Sequence, residues 1–243
     1  MLKTFHIDTA IKKTVNKVSE ETLIKLEKKY GRIDGREEDI TSKLEDKLGD
    51  TLVDGIQREF SGTKINGLAF DLFTYKKKQE KNNGADVLGV VDITLNGQRV
   101  KKAYLAQCKI GKVEGIDNFK HTIFSCISSK NILEQAEKML AITSDSFFFI
   151  YTKKGIYAIP AFQIRLCNKK HLISSKETHF LNLGTFYSDF FKCFIGDEKL
   201  GNSIDLAEDT KFDVKMRSAR TLIYITIKED SLITQKTKTK VRV

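Results

Sequence analysis

Residues 84–109 read GADVLGVVDITLNGQRVKKAYLAQCK. Two strand-like runs, Asp86 to Leu95 and Val100 to Ile110, flank Asn96-Gly97. Asn-Gly between such runs is the strongest short-range hairpin signal, because both turn positions need positive φ. A two-residue loop fixes the register: residues whose numbers sum to 193 face each other. Thr94 then faces Arg99, Val90 faces Ala103, and Asp86 faces Gln107. Directly opposed side chains share a face, with Cβ atoms about 5 Å apart. Lys109 lies two residues beyond Gln107 and falls on that face too. The open end of the hairpin therefore gathers a carboxylate, an amide and an ammonium.

Outward from the hairpin, the pattern alternates between helix and strand. Residues 1–30 are helical in period, with Ile7, Ile11, Val15 and Val18 on one stripe. Asp34 and Glu37 have the spacing of a capping box, ahead of a helix marked by Ile40, Leu44, Leu48, Leu52, Ile56 and Phe60. Gly67 to Tyr75 is a strand. Phe119 to Ile127 and Asn131 to Thr143 are expected to be helices, and Phe147 to Thr152 a buried strand. A strand at Ile156 to Pro160, a loop at 196–205 and a strand at Arg220 to Ile227 follow. From 36 to 152 the order is helix, three strands, helix, strand, which makes an α/β fold with a mixed sheet. The expected division is an N-terminal helical segment at 1–34, a core at 35–165, a C-terminal extension at 166–235 and a basic tail at 236–243.

The chain's 243 residues are 30% charged and 40% apolar, enough for a sizeable core without disulfide or zinc staples. No apolar run approaches the length of a membrane-spanning helix, and the start lacks a signal peptide's apolar region. The expectation is a cytoplasmic protein with no membrane partner. Lysine and arginine number 42 against 32 acids, a formal charge of +10. Such a surface attracts polyanions, although a solvated lysine-rich surface explains the same balance. Cys108, Cys126, Cys167 and Cys193 are too far apart for zinc-ribbon or dithiol motifs. His6, His121, His171 and His179 form no HxxxH pair, and Gly111-Lys112 lacks the glycine of a phosphate-binding loop.

Read singly, Asp86 is a turn acid, Gln107 a polar residue on a half-exposed face, and Lys109 a snorkelling lysine. Read together, they suit a hard cation: a carboxylate and amide oxygens leave coordination positions for water and substrate. The pair Gly84-Ala85-Asp86 and Gln107-Cys108-Lys109 resembles the signature of the PD-(D/E)XK nuclease superfamily, in a GAD…QxK form. The resemblance covers about residues 36–160. It implies a restriction-endonuclease-like αβββαβ core and Mg²⁺-dependent phosphodiester hydrolysis, with Mn²⁺ as a substitute. By that match Asp86 is the principal metal ligand, Gln107 fills the second acidic position, Lys109 is the catalytic lysine, and the Cys108 carbonyl completes the coordination. Glu38 matches the first-helix acid, with Glu37 as rival, and Glu80 is a further candidate ligand. Ala85 stands where the name-giving proline would be, and Gln107 removes one negative charge. The substrate so implied is nucleic acid, double-stranded DNA first, in a restriction or phage-defence setting. Cutting both strands favours a homodimer or larger homo-oligomer. The alternatives are an inactive nuclease-fold protein that binds nucleic acid and an adaptor on the same scaffold.

Overall fold

The structure is a computed structural model. It describes residues 4–30, 40–41, 43–44, 47–49, 51, 54, 65–74, 84–95, 98–114, 123–126, 131–167, 172–174, 179–204 and 221–229. The first helix, α1 (Thr4–Tyr30), buries Ile11, Val15, Val18, Thr22 and Leu23 on one stripe. Helical residues Ile40, Leu44 and Leu48 bury every fourth position in the same core.

The strands are β1 (Ile65–Thr74), β2 (Val87–Leu95), β3 (Gln98–Glu114), β4 (Ile123–Cys126), β5 (Ser146–Thr152), β6 (Gly155–Pro160), β7 (Leu172–Ser174), β8 (Leu181–Asn182) and β9 (Thr221–Glu229). The remaining helices are α2 (Ile132–Leu140), α3 (Ala161–Cys167), α4 (Leu183–Phe191) and α5 (Glu198–Asn202). The sheet runs β1-β9-β2-β3-β5-β6-β8, and β4 joins the far end of β3 to β7. It is mixed: β2 and β3 are antiparallel, while β9 is parallel to β2 and β5 to β3. A parallel pair needs a crossover, and α2 lies on the one between β3 and β5.

Central strands are buried on both faces, as their unbroken apolar runs require. On one face Val87, Val91, Tyr104, Cys108, Phe149 and Ile223 pack against α1, α4 and the helical residues of 40–48. On the other, Leu88, Val90, Leu105, Phe148, Ile150 and Leu222 pack against α2 and α3. The chain is thus an α/β fold with a mixed sheet between two helical layers.

The hairpin register is as expected: every pair from Val87↔Ala106 to Leu95↔Gln98 keeps the sum of 193. Within it Gly89 faces Tyr104, and a Cβ on Gly89 would lie 2.1 Å from the Tyr104 ring. The missing side chain gives the ring its seat, edge-on to Phe186 and Phe190 at 4.9 Å each.

In the sheet, β9 lies between β1 and β2. β9 reads TLIYITIKE, and its buried Leu222, Ile223, Tyr224 and Ile225 suit a position covered on both sides. Two expectations need correction. The helix expected over 119–127 is, at Ile123–Cys126, strand β4, because the overhanging end of β3 (Gly111–Glu114) offers a ladder to this β-favouring segment. The loop expected at 196–205 contains α5, which Asp197 caps through bonds from the Lys199 and Leu200 N–H groups. The Asp34/Glu37 box lies outside the described residues. Among the described residues, no helix is long and apolar enough to cross a membrane.

Candidate functional site

The open end of the β2–β3 hairpin lies beside the start of α2. Gly84 makes this possible. Its φ of +73° is left-handed, and a Cβ there would lie 2.8 Å from the Gln135 carbonyl oxygen. The chain can pass this close to α2 only without a side chain, and two residues later it delivers Asp86 to the head of β2.

Asp86, Gln107 and Lys109 are all buried, at 7%, 1% and 6% exposure. Gln107 and Lys109 sit in register with Phe148 and Ile150 of β5, whose side chains belong to the α2-side core. Alternation along β3 puts both on that face. Asp86 is two residues before Leu88 of the same core. Its Oδ2 accepts a hydrogen bond from the Gln107 amide and another, 2.8 Å long, from the Cys108 backbone N–H. The Asp86 N–H in turn donates to the Ala106 carbonyl at 2.8 Å. The carboxylate thus takes a strand N–H where the β2–β3 ladder ends.

Orientation of the Gln107 amide follows from chemistry. An ionised carboxylate only accepts hydrogen bonds, so the nitrogen end must face it. The oxygen end, Oε1, is buried and has no hydrogen-bond partner among the described residues. An orphaned buried acceptor costs about 1–3 kcal/mol. The Cys108 carbonyl lies 3.4 Å from Gln107 Nε2, at the same end of the site.

The Cys108 thiol belongs to the opposite face. Tyr151 donates its hydroxyl to Sγ at 3.0 Å and is bonded to Thr41 at 2.8 Å. These contacts hold the β3 backbone from behind. Gln135 meets the site through its backbone at Gly84. Glu38, Glu80 and the rival Glu37 lie outside the described residues. Among the described residues no cluster of three or more His, Cys, Asp or Glu side chains forms. The groups brought together are one carboxylate, one backbone carbonyl and the nitrogen end of one side-chain amide. The carboxylate and the carbonyl are hard oxygen donors, and a half-turn of the Gln107 amide would add its unsatisfied Oε1 to them, so the residues fit Mg²⁺ or Mn²⁺.

A second polar cluster occupies the turn end of the same face. Asp92 is 5% exposed and accepts from Arg99 Nε at 2.8 Å, from the Arg99 terminal nitrogen at 2.6 Å and from Tyr224 at 2.8 Å. Burial pushes the Asp92 carboxyl up, but bonds from Arg99 and Tyr224 and the Arg99 and Lys101 charges outweigh it and hold it below its ordinary value. Burial, then the bond to Asp92, raises the Tyr224 phenol. Sequence reading passed over this cluster, although the sum of 193 pairs Asp92 with Lys101 and puts Arg99 on the diagonal. Every acceptor is matched to a donor, which marks it as a structural clasp. No family model, curated protein or solved structure matches the chain.

Proposed function

We propose that the protein is a metal-dependent nuclease of the PD-(D/E)XK kind, with a restriction-endonuclease-like core, acting on double-stranded DNA. The observation that carries this reading is the buried Asp86 carboxylate held against the Gln107 amide, whose Oε1 is buried and unpartnered among the described residues, with Lys109 next on the same face. Asp86, Gln107 Oε1 and the Cys108 carbonyl would hold Mg²⁺ or Mn²⁺, and Glu38 and Glu80 are candidates to add charge. The cation, when bound, polarises a phosphoryl oxygen and lowers the pKa of a coordinated water.

The chain's own residues supply the rest. Asp86 fixes the ligand position, because the Cys108 N–H and the Gly84 turn hold its carboxylate in place. The Lys109 ammonium holds the attacking water and offsets the negative charge that grows on the phosphorane oxygens. A formal charge of +10 draws the polyanionic substrate.

The amide at position 107 favours one second reading, a nuclease-fold protein that binds nucleic acid without cutting it. A cleavage panel separates them: linear, circular and single-stranded substrates, with and without MgCl₂ or MnCl₂. Cation-dependent cutting that Lys109→Met abolishes supports the nuclease. Binding with no cutting under any cation supports the second reading.

A further inference from the structure

We propose that Gln107 is the residue that sets the site's cation requirement, because its side-chain amide occupies the Asp86 carboxylate until a divalent cation turns it over. The inference rests on the reading of this site as a metal centre. Three observations carry it. The Gln107 amide nitrogen donates to Asp86 Oδ2. The same oxygen is also bonded by the Cys108 N–H, so the carboxylate is held without any cation. The other end of the amide, Oε1, is buried at a residue 1% exposed and has no partner among the described residues.

A primary amide has a donor end and an acceptor end of nearly the same shape. Its terminal torsion is broad and roughly two-fold, so a half-turn exchanges the two ends within one volume. Without a cation only the nitrogen can face the carboxylate, since two acceptors in contact repel. With a cation between them only the oxygen end can face it, and the cation bond must outweigh the hydrogen bond that the NH₂ group gives up as it moves to the place Oε1 leaves. The amide N–H therefore stands in for positive charge in the metal-free site.

An acid at 107 could not do this. Its carboxylate would lie against Asp86 with like charge in the metal-free chain, and one more negative ligand would bind the cation more tightly. Glutamine at this position thus gives a site whose carboxylate keeps two protein donors until a cation displaces one, and that fills only at higher cation concentration.

The test uses the full-length chain labelled with ¹⁵N at glutamine. The Gln107 side-chain NH₂ pair is assigned by its absence in Gln107→Glu, then followed through a MgCl₂ titration at constant ionic strength. The expected result is a saturable shift of that pair as its bond to Asp86 is exchanged. In parallel, calorimetry with MnCl₂ should show Gln107→Glu binding about tenfold or more tightly than wild type. A Gln107 pair that stays unshifted while calorimetry shows the cation saturating the wild type overturns the gate and leaves the metal centre standing. A wild type that takes up neither Mg²⁺ nor Mn²⁺ overturns both. The titration on the wild type decides the matter even where the variant fails to fold.

Discussion

Gly84 and Gln135 touch through their backbones: a side chain on Gly84 would meet the Gln135 carbonyl oxygen at 2.8 Å and its Cα at 2.9 Å. This contact joins the turn before Asp86 to helix α2. Gly84→Ala must bear a left-handed backbone, which costs about 1–2 kcal/mol, and a steric clash of about 1–3 kcal/mol. Thermal unfolding should show a loss of roughly 2–5 kcal/mol, near 5–15 °C in Tm for a chain of this size. Any cation-dependent cleavage should fall further than stability explains, since Asp86 shifts with the turn. Unchanged Tm and unchanged activity would contradict the placement of Asp86 by this contact.

Gly89 offers a control. Its Cβ would strike the Tyr104 ring at 2.1 Å, on the sheet face opposite Asp86 and Gln107. Gly89→Ala should displace Tyr104 from Phe186 and Phe190 and cost about 1–3 kcal/mol. At temperatures where the variant remains folded, its cation affinity should equal that of wild type. Denaturant unfolding and MnCl₂ calorimetry read the two effects separately.

Acid should reveal the Asp92 clasp. Because the folded carboxyl titrates below its unfolded value, its contribution is fully present above about pH 4 and is lost as pH falls through the depressed folded value. Asp92→Asn should lower stability by about 1–3 kcal/mol at neutral pH, and the gap should narrow toward pH 3. The Tyr224 phenol acts with the opposite sign: its raised pKa means stability declines as pH rises above about 10. Unfolding profiles of wild type and Asp92→Asn across pH 3–7 check the first of these, and a pH-independent gap would contradict it.

Binding to DNA should weaken steeply with salt. Each phosphate neutralised by a lysine or arginine adds about 0.9 to the slope of log K against log salt. A protein of charge +10 that contacts several phosphates should lose at least tenfold in affinity between 50 and 200 mM salt. A flat response in fluorescence anisotropy would argue against a nucleic-acid partner.

Much of the site was legible because one local feature is decisive. The dipeptide Asn96-Gly97 predicts a two-residue loop, and period-two alternation then carries the register from Leu95 and Gln98 toward Asp86 and Gln107 without any tertiary information. The Asp92 clasp was legible by the same rule, except for Tyr224, which arrives on a strand far away in sequence. Non-local pairing is what the sequence could not display. The insertion of β9 between β1 and β2 depends on which apolar strand best fills a doubly covered position, and Ile123–Cys126 became a strand because β3 overhangs the sheet. The contact of Gly84 with Gln135 exists only once α2 has docked.

The most direct test is single-turnover cleavage of supercoiled and linear DNA in MgCl₂ by wild type, Asp86→Asn and Lys109→Met, each first shown to be folded by circular dichroism. The account predicts cutting by wild type that chelation stops, and loss of at least a hundredfold in both variants while DNA affinity stays within a few-fold. Cutting by either variant at the wild-type rate, or a wild type that cuts no nucleic acid with any divalent cation, would contradict it.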